Sequence, residues 1–234
     1  MIIYLYLCRV LPDDNRHLAR LFDRLDDAER ERAGRFVFDR DRRAHAAAHV
    51  LLRHALNVEA GFRRWRFAVN AYGKLRLVPA CDDIRFSLSH TDGLVAVALA
   101  HGQEVGVDVE ATTRDPDEAS LAAIALAPEE VSDLANFADR RGRLLRLWVA
   151  KEALAKAIGI GLSLPLRKVV LRGDPPSVVS MPDGHAPDWW LRTVRHSAHW
   201  LALAAEHAPS GHAPSGVVET ELTVADLIRD GRSG

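Results

Sequence analysis

IRFSLSHTDGLVAVALAHGQEVGVDVE, residues 84–110, reads as three short strands, Ile84–Leu88, Leu94–Leu99 and Val105–Val109. Asp92-Gly93 supplies a turn between the first two. Two further runs precede it, Trp65–Val69 and Leu75–Val78, separated by Asn70-Ala-Tyr-Gly73. Upstream the texture is helical. A turn at Pro12–Asn15 leads to a helix from about His17 to Leu25, and a second helical region follows Asp26-Asp27. The Ala- and Leu-rich DRDRRAHAAAHVLLRHAL predicts a long helix over 39–56. Closely spaced strands after helices predict an α+β unit rather than repeated βαβ.

The same order then recurs. From Asp115 the chain turns helical again, Pro128-Glu129-Glu130 suits a helix start, and an amphipathic helix spans Leu144 to Ile158 until Gly159 and Gly161. Val169–Leu171, Val178-Val179, Trp189–Val194 and Trp200–Ala204 are strand candidates. Helices followed by strands thus occur twice, which predicts two similar α/β halves, 1–110 and 111–234. His, Pro, Ser and Gly over 205–218 predict a loop or loose tail from about 205, with a short helix over Leu222–Ile228.

The 234 residues suffice for one large domain or two small ones, and 48% hydrophobic with 27% charged residues excludes a disordered or fibrous chain. Thirty-one basic and thirty-two acidic residues give a net charge of -1, which argues against nucleic acid as a partner. Lys occurs only at 74, 151, 156 and 168; the other 27 basic residues are Arg, a skew that codon bias alone can produce. Arg30 to Arg66 holds ten Arg against four Asp or Glu, either a solvated helix surface or an anion-facing patch. Two cysteines, Cys8 and Cys81, make no disulfide framework. The run Met1–Val10 lacks a basic leader and is interrupted by Arg9, so it predicts a first strand. A soluble, cytoplasmic chain with no membrane partner is expected.

Several side-chain sets could carry chemistry. On a strand over 105–110, Asp108 and Glu110 share a face and Val105, Val107 and Val109 share the other. Two carboxylates so placed are either ordinary edge solubilisers or a pair that binds a hard cation such as Mg2+. At helical spacing Trp148, Glu152 and Lys156 lie on one face, with Lys151 about 100° away. That set is either a common i,i+4 ion pair or part of a site. Ser89, His90 and Thr91 end a strand with groups able to donate to phosphate. Neighbours on a strand point oppositely, so a Ser89–His90 dyad is disfavoured. Lys74 follows a glycine turn. His45 and His49 lack a metal-protease pattern, and no P-loop or dinucleotide fingerprint is present.

Taken in order, these stretches resemble the 4'-phosphopantetheinyl transferases, specifically the longer, monomeric type with two pseudo-repeated halves. The matching segments are Asn70–Lys74, Phe86–His90, Val105–Glu110, Leu147–Lys156 and Gly159–Leu166, and the likeness covers roughly 1–204. The resemblance implies a pseudo-two-fold arrangement with the active site at the junction. It implies transfer of the phosphopantetheine arm of coenzyme A to a serine of an apo carrier protein, releasing adenosine 3',5'-bisphosphate. Asp108, Glu110 and Glu152 would hold Mg2+, Glu152 would take the serine proton directly or through water, and Lys156 would neutralise the leaving group. Lys151, Ser89 and His90 would contact phosphates, His90 the 3'-phosphate, while Tyr72, Gly73 and Lys74 would line the nucleotide pocket.

The sequence departs from the family pattern at Ser87 (usually Asn), Thr91 (usually Ser), Leu75 (commonly Pro) and Ala44, where an arginine often binds the 3'-phosphate. Arg43 or Arg32 would take that arginine's place. Two other classes remain beside this one. A Mg2+-dependent phosphodiesterase or nuclease uses clustered acids and Lys but leaves Lys74, Ser89 and His90 unexplained. A non-catalytic carrier-binding protein would be signalled by loss of Asp108, Glu152 or Lys156, and all three are present.

Overall fold

The computed structural model describes residues 1–80, 83–113, 117–186, 188–207 and 211–229. The chain begins with β1 (Ile2–Arg9), a 3-10 turn at Pro12–His17, α1 (Leu18–Phe22), α2 (Asp27–Gly34) and α3 (Asp39–Ala60). Then come β2 (Phe67–Val69), β3 (Leu75–Leu77), β4 (Ile84–Thr91), β5 (Leu94–His101) and β6 (Val105–Ala111). After them lie α4 (Glu118–Ala125), α5 (Pro128–Leu134), α6 (Arg140–Ile158), β7 (Val170–Arg172) and β8 (Ser177–Ser180). The chain continues through β9 (Trp189–His196), β10 (His199–Glu206), β11 (Gly216–Thr223) and α7 (Val224–Arg229). This is the α+β class that the strand spacing predicts. Among the described residues no helix is long and apolar enough to cross a membrane. Cys81 and Asp115 lie outside the described residues.

Side-chain alternation builds four layers. One sheet has the order β11-β1-β5-β4 and another β6-β10-β9, with small ribbons β2-β3 and β7-β8. Tyr6, Cys8, Val95, Val97 and Leu99 turn from the first sheet onto α3. The alternate residues Ile3, Leu5, Leu7, Leu94, Ala96 and Ala98 turn inward to meet Val105, Val107, Val109, Leu201 and Leu203 of the second sheet. The other face of that sheet, with Ala202 and Ala204, packs on α6. Strands buried on both faces read as continuous apolar runs, as β1 and β5 do. At Gly106 the approach of α6 is very close: an added Cβ would fall 1.9 Å from the Ala153 carbonyl oxygen. Glycine there seats α6 directly on β6, beside Asp108 and Glu110.

Three elements differ from the sequence reading. β6 pairs antiparallel with β10, Asp108 opposite Ala202 and Glu110 opposite Trp200, so a division at 110 separates it from its sheet partners. Where a loose tail is expected from about 205, β10 runs to Glu206 and β11 pairs in parallel with β1, Ile2 opposite Gly216. The partner that makes β11 a strand lies at the far end of the chain, beyond any local pattern. Helix α6 is less amphipathic than its sequence suggests: Leu144, Leu147, Val149, Ala150, Lys151 and Leu154 are all buried, because α4, α5 and the Leu166–Lys168 turn cover its outer side. The stripe Trp148, Glu152, Lys156 stays half-buried, as do residues 141–143, Arg146 and Ile158.

A buried polar cluster joins α2 to α3. Asp26 and Glu29 cap α2 reciprocally, and Glu29 Oε1 meets His49 Nδ1 at 2.7 Å and Arg53 Nη1 at 2.9 Å. Burial raises the Glu29 pKa, but the bonds from His49 and Arg53 outweigh it and hold the carboxyl at about 2, down from 4.5. Its ionised form therefore stabilises the fold above the unfolded value, by about 3 kcal/mol, and that contribution is lost as pH falls through the folded value. The stability difference between wild type and Glu29→Gln, read from urea midpoints, should be largest near neutral pH and shrink towards about pH 3. An equal difference at both would contradict the ionised cluster.

Candidate active site

Where the edge of the first sheet meets the edge of the second, charged groups of α6 and β6 converge with hydroxyls of β4. Lys156 Nζ lies 2.6 Å from Asp108 Oδ1 and 2.8 Å from Ser89 Oγ, and Ser89 Oγ donates to Asp108 Oδ1 at 2.7 Å. Asp108 and Ser89 are buried; Lys156 is partly open. Glu152, one helical turn before Lys156, is half-buried, and its Oε1 has no hydrogen-bond partner among the described residues. Burial, then the charge of Asp108, push the Glu152 carboxyl up to about 7, with Lys156 opposing and Glu110 adding. Glu110 accepts from Thr91 Oγ1 at 3.3 Å.

Not every expected residue joins this cluster. Lys151 is fully buried on the opposite side of α6, where Nζ meets Glu130 Oε2 at 2.5 Å, the Ala125 carbonyl at 2.8 Å and the Leu166 carbonyl at 3.0 Å. It ties α6 to α4 and α5 and is out of reach of a phosphate. Arg43 is likewise buried and donates to Asn15 Oδ1 at 2.8 Å, which pins it to the 3-10 turn. The alternative, Arg32, acts electrostatically on both His90 and His45. Ser89 has its single donor and both acceptor sites engaged by Asp108, Lys156 and Val109 N, so it orders the cluster and has no capacity left for a phosphate.

His90 shares the strand face of Phe86 and Leu88, towards α3, while Ser89 turns to β6, as alternation requires. Burial, then the nearby Lys156 charge, lower the His90 pKa to about 4, so the imidazole is neutral at neutral pH. The turn 70–74 docks on the end of α6. Asn70 Nδ2 donates to the Gly159 carbonyl at 2.8 Å, and Lys74 Nζ donates to the Ala157 carbonyl at 2.9 Å and to Glu104 Oε2 at 2.7 Å. Lys74 is thus a helix C-terminal cap. Tyr72 is exposed at the turn and Gly73 has φ +86°.

Sequence reasoning missed Glu104, which binds Lys74, Arg76 and Arg85, and Glu130, the partner of Lys151. Both act across long sequence separations and carry no local signature. It also read Asn70 only as a turn residue, although its Oδ1 accepts from the N–H of both Tyr72 and Lys74.

Among the described residues no three acidic, His or Cys groups are gathered into a metal cluster, and Lys156 is paired with Asp108. The donor set still fits a hard divalent cation. Burial, then the charges of Asp108 and Glu110, raise the Glu152 pKa, and among the described residues its buried Oε1 has no donor.

The separate role of Lys151 has a direct check. Lys151→Met strands Glu130 in the interior and should cost about 3–5 kcal/mol in a denaturant titration. Coenzyme A affinity of the protein that remains folded should be unchanged. A large loss of affinity at intact stability would return Lys151 to the site.

Comparison with known proteins bears on what such a site serves. The family profile described as the 4'-phosphopantetheinyl transferase superfamily matches residues 104–205. A 4'-phosphopantetheinyl transferase of Bacillus subtilis is 31% identical over 195 residues, 80% of this chain and 85% of its own. The 4'-phosphopantetheinyl transferase Sfp of Bacillus subtilis (strain 168) is 28% identical over 209 residues, 87% and 91% of the two chains. HetI, the 4'-phosphopantetheinyl transferase of Nostoc sp., is 31% identical over 161 residues, 65% and 67% of the two chains. With a likeness of this extent running through β4, β6 and α6, the chain belongs to the 4'-phosphopantetheinyl transferases and is an enzyme of that class.

Proposed function

We propose that the junction of the two sheets transfers the 4'-phosphopantetheine arm of coenzyme A to a serine hydroxyl of an apo carrier protein, releasing adenosine 3',5'-bisphosphate. The meeting of Asp108, Lys156 and Ser89, with Glu152 one turn away and its Oε1 without a partner among the described residues, carries this reading. The serine oxygen bonds to the phosphorus that bears pantetheine as the bridging P–O bond of the pyrophosphate breaks. Glu152 takes the serine proton, directly or through water. Lys156 offsets the charge that grows on the leaving phosphate. Asp108, Glu110 and Glu152 would hold Mg2+, which when bound neutralises pyrophosphate oxygens.

His90 and Arg32 would receive the 3'-phosphate, whose negative charge favours a protonated imidazole. Tyr72 and Gly73 would line the nucleotide, on a turn that Asn70 and Lys74 hold against α6. The α3 and α6 layers, each on its own sheet, would be the two pseudo-repeated halves, with β6 assigned to the second.

Carriers of polyketide, nonribosomal peptide or fatty-acid assembly are the substrates this reading covers. An arginine-rich groove of 450 Å³ between α2 and β2 includes Arg63, Arg64 and Arg66 beside Trp65, facing Asp23, Asp26 and Asp27. Arg30 and Arg53 there are already committed to Asp27 and Glu29. Arg63, Arg64 and Arg66 would meet an acidic carrier surface.

Incubation with coenzyme A, Mg2+ and a panel of apo carriers, followed by intact-mass measurement, should show one phosphopantetheine added. No addition to any carrier by folded protein would overturn the reading. Glu152→Gln should cut the transfer rate at least about a hundredfold without lowering the melting temperature; full rate would remove it from the base role. Arg63→Glu combined with Arg64→Glu should raise the carrier KM and leave coenzyme A affinity unchanged. An unchanged carrier KM would move the docking surface elsewhere.

A further inference from the structure

β4 and β6 are facing edges of two separate sheets, and they run side by side in the same direction. Hydroxyls join them. Val107 N donates to Ser87 Oγ at 3.1 Å, Val109 N to Ser89 Oγ at 3.4 Å and Ala111 N to Thr91 Oγ1 at 3.4 Å. Each step along β4 by two residues is matched by two along β6, so the three acceptors form a ladder of side chains in place of a backbone ladder. The three donors belong to buried residues on the edge of β6 away from β10. Left without acceptors they would be buried N–H groups, which folded chains rarely tolerate.

The rungs differ in what the hydroxyl proton does. Among the described residues the Ser87 hydroxyl serves the backbone alone. The Ser89 hydroxyl donates to Asp108. The Thr91 hydroxyl donates to Glu110 Oε2 at 3.3 Å while accepting from the next backbone N–H on the same strand. Thr91 therefore holds the Glu110 carboxylate relative to its own backbone, with the Thr91 methyl restricting rotation about χ1. Glu110 is half-buried, and its charge reaches Glu152.

We propose that Thr91 is a positioning residue for Glu110: its hydroxyl, fixed by Ala111 N, holds the carboxylate ready for a divalent cation shared with Asp108 and Glu152. This rests on the reading of Glu110 as a ligand. Groups that orient ligands in this way typically alter metal affinity ten- to a hundredfold.

The test is Mn2+ binding to the folded full chain with coenzyme A present, read by the electron paramagnetic resonance signal of free Mn2+. Thr91→Val should weaken binding about tenfold, and Thr91→Ser, which keeps the hydroxyl, should retain wild-type affinity. Ser87→Ala removes a rung of the ladder with no carboxylate attached; it should lower the melting temperature and leave Mn2+ affinity unchanged. Should Thr91→Val fail to fold, Thr91→Ala takes its place. Wild-type Mn2+ affinity in the hydroxyl-free variant, with Glu110→Gln weakened, overturns the role of Thr91 and leaves Glu110 as a ligand. An equal loss in Ser87→Ala also overturns it, by making the effect a general one of the ladder. Unchanged binding in Glu110→Gln removes the ligand reading and the proposal together.

Discussion

The ammonium of Lys156 lies 2.6 Å from Asp108 Oδ1 and 2.8 Å from Ser89 Oγ, so a single cation ties α6, β6 and β4 together. Asp108 is only 6% exposed, and an unpaired carboxylate at that depth, with Glu110 and Glu152 near it, would cost several kcal/mol. Two features allow the contact. Gly106 lets α6 press onto β6, and the hydroxyls of β4 satisfy the inner edge of β6. The fold around the site is in this sense a device for bringing one helix and two strand edges into register.

The same contact sets what an entering anion would meet. Among the described residues two of the three Lys156 ammonium donors go to Asp108 and Ser89, which leaves the third for an entering phosphate oxygen, while Ser89 has no spare hydrogen-bonding capacity. Glu152 sits beside this contact with a pKa raised to about 7 by burial and then by the charge of Asp108, so its charge is sensitive to a cation or proton that enters. Lys74 and Lys151, although they flank the same helix, hold its end and its outer side.

Much of this was legible in the sequence. Period-two alternation placed Asp108 and Glu110 on one face and the valines on the other, and the structure has that division. Helical spacing set Glu152 and Lys156 together, and both stay half-buried on the side of α6 that faces β6. The separate orientations of Ser89 and His90 followed from the same alternation. What escaped depends on distant partners. Lys151 and Lys156 look alike in sequence, and only the covering of α6 by α4 and α5 sends one inward to Glu130. Arg43 is drawn away by Asn15, 28 residues earlier, and β11 exists because β1 is there to pair with it. Lys168 is exposed, and nothing in the structure explains it.

The most direct measurement is a crystal structure with coenzyme A and Mn2+, with the metal located by its anomalous signal. The account predicts one peak bounded by Asp108, Glu110 and Glu152, with Lys156 Nζ within hydrogen-bond distance of a phosphate oxygen. A metal bound away from these three carboxylates, or coenzyme A phosphates seated in another cleft, would contradict it.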